Sequence, residues 1–279
     1  MPVPAPWWAS ALVFAFVLGG CASVLQSPAE RADELARGAG FAAQPAGRFV
    51  RMYLKAPAGQ TEALTVYIEG DGARWRAADL PPEDPTPENP LSLRLAVQDP
   101  AVAVGYIGRP CQYLDDDTLA ACDSALWTRG RYSEPALQMM GAALDALVRA
   151  TGARRLTLIG HSGGGAMAAL LAARRGDVTC LASIAAPLDI AGWTQSIGVS
   201  PLRGSLNPVD AAARLADIAQ VHFTGGHDEV VPPASIARYL RAVPKARELR
   251  IEKFSHDCCW VEEWPKLRPR ACMADGSGG

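Results

Sequence analysis

Residues 155–175 read Arg-Leu-Thr-Leu-Ile-Gly-His-Ser-Gly-Gly-Gly-Ala-Met-Ala-Ala-Leu-Leu-Ala-Ala-Arg-Arg, and this stretch decides the fold. Its apolar start, 155–159, is typical of a buried strand, and the Ala-rich segment 165–175 is typical of a helix. Between them lies a Gly-x-Ser-x-Gly turn centred on Ser162. A serine in so sharp a turn has a strained backbone, and only glycines fit two residues before and after it. The pattern therefore predicts that Ser162 is a nucleophile.

The Gly-x-Ser-x-Gly turn between strand and helix resembles the nucleophile elbow of the α/β-hydrolase family. The resemblance implies a mostly parallel central sheet with helices on both faces and a Ser-His-Asp triad. The short segment 190–207 implies that any lid is small or absent. A plain glycine-rich turn and a phosphate-binding loop are the other interpretations. The phosphate-binding patterns G-x-G-x-x-G and Gly-Lys-Ser/Thr are absent here.

Apolar runs on either side of this stretch support the same α/β fold class. They predict strands at 49–55, 64–68, 101–107, 155–159, 180–185, 221–224 and 248–253. Helical patterns at 134–150, 165–175 and 234–243 separate the later strands, and this alternation favours a parallel sheet covered on both faces. The proline-rich segment 79–90 is expected to be a stiff exposed loop, and 190–207 is the candidate for a small lid.

A serine nucleophile needs a base, and the chain contains four histidines. The family's chain order of serine, acid and histidine implies that His256, just past the last predicted strand, is the base. His161 adjoins the serine and should point away from it, while His222 falls inside a strand and is expected in the core. His227 precedes the proposed acid and is too early for the order.

The acid is expected in 225–232, Gly-Gly-His-Asp-Glu-Val-Val-Pro, which resembles the family's G-x-x-D-x-x-V-P segment. The resemblance implies that Asp228 accepts the Nδ1–H of His256 and fixes its tautomer. Glu229 and Asp257 are the competing carboxylates. Neighbouring side chains in an extended chain face opposite ways, so Asp257 is poorly placed to orient His256.

The oxyanion of the tetrahedral intermediate needs hydrogen-bond donors. The resemblance implies the backbone N–H of Gly163 and one N–H from the loop after strand 64–68, which reads Glu-Gly-Asp-Gly at 69–72. The family commonly has His-Gly there, so this loop departs from the pattern. By position Asp71 supplies the N–H, and its carboxylate must be turned away or paired with Arg74 or Arg109. A plain turn capped by Asp71 is the alternative.

The N-terminal segment differs in kind from the rest, because no charged residue precedes Glu30. The apolar run 9–18 is too short to span a bilayer as a helix and fits the apolar part of a signal peptide, although no Lys or Arg precedes it. Leu-Gly-Gly-Cys at 18–21 resembles the lipobox of bacterial lipoproteins, which implies that Cys21 is acylated and anchors the chain. An ordinary signal peptide cut elsewhere and a buried apolar helix are the alternatives.

These features divide the chain into a lipoprotein signal peptide (1–20), a tether (21–46) that holds at most one short helix, and an α/β-hydrolase domain (47–279). The expected location is the bacterial cell envelope, at the periplasmic face of the outer membrane. A net charge of −2 without a basic run excludes an electrostatic nucleic-acid binder. With 49% hydrophobic and 20% charged residues, the 279-residue chain is not disordered.

Seven cysteines leave six after lipidation of Cys21, a number that suits an oxidising compartment. Cys111 and Cys122 bracket a polar loop and are expected to form a disulfide. Cys272 is expected to pair with Cys258 or Cys259, which should not bond to each other. Cys180 is expected to be a buried free thiol.

The predicted activity is hydrolysis of a carboxylic ester or related acyl compound, a small molecule, without a metal or organic cofactor. A peptidase or thioesterase on the same fold is an alternative, because a triad does not specify the leaving group. A catalytically silent envelope lipoprotein that acts as a binding or scaffold protein is another. The sequence indicates no oligomeric state.

Overall fold

A computed structural model describes residues 26–45, 47–73 and 80–272. Within them eight strands form one sheet in the order β1-β2-β4-β3-β5-β6-β7-β8. The strands are β1 (Ala42–Gln44), β2 (Met52–Lys55), β3 (Ala63–Ile68), β4 (Val104–Ile107), β5 (Arg155–His161), β6 (Val178–Ile184), β7 (Ala219–Gly225) and β8 (Ala246–Ile251). All seven predicted strands are present in this sheet.

The strands from β4 to β8 across the sheet run parallel. At one edge β2 pairs antiparallel with β4, and β1 pairs antiparallel with β2. In the register of β3 with β5, Ile68 lies opposite Gly160, so both strands end at the same edge. The loop after β3 and the turn after β5 are therefore neighbours. Ligands of open parallel sheets bind at this carboxyl edge.

Helices cover both faces of the sheet. The helices are α1 (Pro28–Gly38), α2 (Leu91–Ala96), α3 (Asp116–Ala120), α4 (Glu134–Thr151), α5 (Gly163–Ala172), α6 (Ile190–Ser196), α7 (Ala212–Leu215), α8 (Ala237–Ala242) and α9 (Trp260–Leu267). One buried cluster lies between the sheet and α4, α5 and α8, and the other between the sheet and α1, α2 and α9. Strand β3 supplies both, because Val66 points into the first cluster and Tyr67 into the second.

The segment expected to be a tether, 21–46, is folded onto the domain over its described part. Helix α1 starts at a capping box in which Ser27 and Glu30 satisfy each other's backbone N–H groups, and it buries Ala32 and Ala36. Strand β1 then pairs with β2. The sequence did not reveal β1 because it has only three residues, two of them exposed.

Cys21 and the expected signal peptide lie outside the described residues. No helix in the described part of the chain is both long and apolar enough to cross a bilayer. The candidate lid, 190–207, contains α6, and Trp193 of this helix donates its indole N–H to the carbonyl of Val230 over 2.7 Å. Farther along, the N–H of Leu206 donates to the carbonyl of Tyr132 over 3.0 Å. The segment is thus attached at both ends.

Cys111 is bonded to Cys122, as the bracketed loop predicts. The other pairings differ from the expectation: Cys180 is bonded to Cys272, and Cys258 to Cys259. The turn after α9 carries Cys272 back to the start of β6, where the Cα atoms of Cys180 and Cys272 are 5.7 Å apart. This bond therefore lies at the amino ends of the strands, away from His256, and Cys180 is not a free thiol.

Candidate active site

The turn between β5 and α5 holds Ser162 in a strained conformation with positive φ, at φ 52° and ψ −127°. The N–H of Ser162 donates to the carbonyl of Ile184 on β6 over 2.8 Å, which ties the turn to the sheet. A Cβ atom on Gly160 would overlap the backbone of Gly164, and one on Gly164 would overlap the carbonyl of Ile68. The glycines on both sides of the serine are therefore required by close backbone packing.

Ser162, His256 and Asp228 form a continuous hydrogen-bonded chain. Nε2 of His256 lies 3.0 Å from Oγ of Ser162, and Nδ1 lies 2.9 Å from Oδ2 of Asp228. The second carboxylate oxygen of Asp228 accepts the N–H groups of Val230 at 2.9 Å and Val231 at 2.8 Å. Because Nδ1 donates to a carboxylate, a neutral His256 has Nε2 free to accept the proton of the serine hydroxyl.

The side chain of His161 supports the loop that carries His256. Its Nε2 lies 2.9 Å from the backbone carbonyl of His256, and the two rings are 5.0 Å apart. Burial, together with the neighbouring His256, lowers the pKa of His161 to about 4, so this ring is neutral near pH 7 and donates Nε2–H. Trp260 donates its indole N–H to the same carbonyl over 3.0 Å. The sequence indicated neither contact.

The other candidates for the base and the acid lie outside the hydrogen-bonded chain of Ser162, His256 and Asp228. His222 is fully buried in β7, where its Nδ1 lies 2.8 Å from the hydroxyl of Ser183. Burial lowers the pKa of His222 to about 3, as suits the core histidine that the strand pattern predicts. His227, Glu229 and Asp257 are exposed.

The two expected oxyanion donors flank Ser162. Gly163 is the first residue of α5, so its N–H has no partner within the helix. On the other side, the loop after β3 packs against the elbow, since a Cβ on Gly70 would lie 3.6 Å from Cβ of Ser162. The N–H of Asp71 belongs to the next residue of this loop, after Gly70. Neither N–H, of Gly163 or Asp71, donates a backbone hydrogen bond to another described residue.

The carboxylate of Asp71 is paired, as its position demands. Its two oxygens accept from the guanidinium of Arg109 at 2.9 Å and that of Arg131 at 2.9 Å. The hydroxyl of Tyr132 adds a third hydrogen bond of 2.7 Å. Burial by itself would raise the pKa of the Asp71 carboxyl, but the two arginines and Tyr132 bring it below its ordinary value. Arg109 was an expected partner, Arg131 and Tyr132 were missed, and Arg74 is outside the described residues.

Glu69, where the family commonly has histidine, points away from the serine and is buried. Its carboxylate accepts the N–H groups of Gly70 at 2.9 Å and Ser92 at 3.2 Å, and the hydroxyl of Tyr106 at 3.0 Å. Burial raises the pKa of Glu69 despite these hydrogen bonds. Glu69 therefore connects the loop after β3 to α2 and β4.

One group of residues in the described chain has ligand atoms close enough for a metal ion: His161, His256 and Asp257, within 4.8 Å of one another. Both nitrogens of His256 already have partners in Ser162 and Asp228. A metal on His256 would break this chain, so the arrangement suits proton transfer better than metal binding.

No protein-family model and no curated protein sequence matches this chain. Many solved structures do. Est1E from Butyrivibrio proteoclasticus superposes with a TM-score of 0.59 and 13% identity, covering 83% of this chain and 97% of that one.

Two further structures are similar. An α/β serine hydrolase homologue from Coxiella burnetii has a TM-score of 0.53 and 14% identity over 82% of this chain and 94% of its own. The acylaminoacyl peptidase of Pyrococcus horikoshii has a TM-score of 0.60 and 10% identity over 86% of this chain, which spans only 43% of that protein. At such low identities these likenesses establish the α/β-hydrolase fold.

Proposed function

We propose that this protein is a serine hydrolase that cleaves a carboxylic ester or a related acyl compound. The observation that carries the proposal is the hydrogen-bonded chain from Ser162 through His256 to Asp228, which begins at a strained elbow on the carboxyl edge of the sheet. A buried carboxylate, an oriented imidazole and a hydroxyl in this order are the groups that acyl transfer requires.

In the acylation step, Oγ of Ser162 attacks the acyl carbon while Nε2 of His256 takes the hydroxyl proton. Asp228 stabilises the imidazolium that forms and holds its Nδ1–H in place. The backbone N–H groups of Gly163 and Asp71 stabilise the oxyanion. As the tetrahedral intermediate collapses, His256 returns the proton to the leaving alcohol.

Deacylation repeats these roles with water as the nucleophile. His256 takes a proton from water, the hydroxide attacks the acyl-enzyme, and Ser162 leaves with the proton that His256 returns. No step needs a metal or an organic cofactor. The names of the similar structures include a peptidase and a serine hydrolase homologue, so the ester substrate is the part of the proposal that rests least on them.

A fluorophosphonate probe tests the proposal on the full-length chain in detergent. The wild type and a Ser124→Ala control, in which an exposed serine is removed, should be labelled and should hydrolyse short p-nitrophenyl esters. The Ser162→Ala variant should lose both properties. Labelling and turnover that persist in Ser162→Ala would move the nucleophile away from Ser162, whereas a wild type without labelling or turnover would support a catalytically silent binding or scaffold protein.

The same chain is proposed to be a lipoprotein of the bacterial cell envelope, facing the periplasm from the outer membrane. The Leu-Gly-Gly-Cys motif at 18–21 after an apolar run supports this. Two acyl chains on Cys21 would suffice for stable anchoring. Mass spectrometry of the membrane fraction should find an acylated N-terminal Cys21, and Cys21→Ser should release the protein from that fraction. An unmodified Cys21 on a protein outside the membrane fraction would contradict the anchor.

A further inference from the structure

The carboxylate of Asp71 lies beside the amino end of α5, where the oxyanion would form. One of its oxygens fills the space that a side chain on Gly163 would occupy. A negative charge there opposes the developing oxyanion through Coulomb repulsion, which is strong in a partly buried site. The proposed reaction is therefore compatible with Asp71 only if its charge is offset.

We propose that Arg109, Gln112 and Arg131 are positioning residues that act through Asp71, and we call them the Asp71 clamp. The two arginines offset the carboxylate, and Gln112 orients the backbone N–H that Asp71 contributes to the oxyanion site. This inference rests on the proposed hydrolase function and deepens it. None of the three residues needs to touch the substrate.

The clamp carries a net positive charge. Arg109 and Arg131 each hold one oxygen of the Asp71 carboxylate at 2.9 Å, so two guanidinium groups face one carboxylate. Tyr132, the third side chain that donates a hydrogen bond to the Asp71 carboxylate, stays neutral because burial and this carboxylate raise the pKa of its hydroxyl. Charge of this sign, fixed in place before the reaction, favours the transition state over the ground state.

Both guanidinium groups are held firmly. Arg109 is buried, donates to the backbone carbonyl of Arg131, and has its guanidinium carbon 5.1 Å from the ring centre of Tyr132. Arg131 also donates Nε–H to the carbonyl of Thr128 over 2.8 Å. The carboxylate of Asp71 therefore cannot swing toward the substrate without losing these contacts.

Gln112 fixes the peptide group between Gly70 and Asp71. Its Nε2–H donates to the carbonyl of Gly70 over 3.0 Å, while its oxygen accepts the N–H of Arg109 over 2.9 Å. A trans peptide points its C=O and N–H in opposite directions. Holding the carbonyl of Gly70 on one side therefore aims the N–H of Asp71 to the other.

A charge-balance experiment tests the clamp. The kcat and KM for a p-nitrophenyl ester are measured for the wild type, Arg131→Gln, Asp71→Asn and the double variant Arg131→Gln/Asp71→Asn. Arg131→Gln should lower kcat about 100-fold, the scale of a lost oxyanion-site interaction, with KM within about twofold. The double variant also removes the carboxylate that has lost one of its two guanidinium partners, and it should recover at least about tenfold in kcat.

The matched control is Arg129→Gln, which removes an exposed arginine two positions away and should keep kcat within about twofold. A second variant covers the case in which Arg131→Gln does not fold. Gln112→Leu leaves all charges in place, and it should lower kcat about tenfold. Adding Asp71→Asn to this variant should not restore kcat, because removing the carboxylate does not reorient the backbone N–H of residue 71.

The outcomes separate the two proposals. A double variant no more active than Arg131→Gln, or an Arg131→Gln variant that matches Arg129→Gln, overturns the clamp while the hydrolase function stands. If Arg131→Gln is unfolded, a Gln112→Leu variant with wild-type kcat overturns the clamp. A wild type without Ser162-dependent turnover overturns both the clamp and the hydrolase function.

Discussion

The backbone N–H of His227 donates to the carbonyl of Phe254 over 2.9 Å. This hydrogen bond joins the loop after β7, which carries Asp228, to the loop after β8, which carries His256. Gly225 permits this close approach of the two loops, because an added Cβ atom there would lie only 2.5 Å from the carbonyl oxygen of Phe254. The acid and the histidine thus come together through their backbones as well as their side chains.

Asp228→Asn should lower kcat by about three to four orders of magnitude while leaving the fold intact, because an amide in place of the carboxylate no longer enforces the tautomer of His256. Glu229→Gln is the matched control, since Glu229 is the adjacent, exposed carboxylate. Turnover of p-nitrophenyl esters and circular dichroism are measured on both variants. A Glu229→Gln variant as inactive as Asp228→Asn would move the acid role away from Asp228.

Gly164→Ala should destabilise the protein by at least about 2 kcal/mol, because the added methyl group overlaps the carbonyls of Ile68 and Glu69. Gly176→Ala is its control, since a Cβ on Gly176 meets nothing within 4 Å. Urea unfolding should place Gly176→Ala within about 0.5 kcal/mol of the wild type. Equal stabilities of the two variants would show that the close approach of β3 to α5 does not constrain the elbow.

The Cys180–Cys272 and Cys111–Cys122 disulfides should differ in their effect on stability. Cys180 and Cys272 are 92 residues apart and Cys111 and Cys122 only 11 apart, so the chain-entropy model predicts losses of about 4 to 5 and about 3 kcal/mol when each pair is replaced by alanine. Urea unfolding measures both. Peptide mapping without reductant should recover 180–272 as a linked pair, and a free Cys180 thiol would refute the assignment.

Stability should fall as the pH drops below 6.5, in part because of His222. Burial holds the pKa of His222 at about 3 in the folded state, against 6.5 as the ordinary value, so only the unfolded chain takes up the proton between these limits. The contribution lost at pH 5 is about 2 kcal/mol. His222→Asn should show a smaller decrease between pH 7 and pH 5 in urea unfolding than the wild type does. Parallel pH profiles for the two proteins would contradict this role.

The sequence alone was enough to place the elbow, the acid loop and the histidine loop in chain order. The elbow and the acid loop are encoded locally: a glycine is needed where backbones touch around Ser162, and a Gly-x-x-Asp turn follows β7. Alternating apolar runs likewise predicted the parallel sheet. Such features follow from the conformation of a few neighbouring residues, so a local pattern reveals them. The histidine loop was placed by the chain order of the family that the sequence resembles.

Only the tertiary structure decided which distant side chains meet. Asp71 and Arg131 are 60 residues apart, and Cys180 and Cys272 are 92 apart, so no local pattern pairs them. Strand β1 exists because β2 offers it hydrogen-bond partners, not because its own residues alternate. Consecutive residues determine the local backbone conformation. A buried charge or thiol instead pairs with a residue that the packing of the sheet and helices brings close to it.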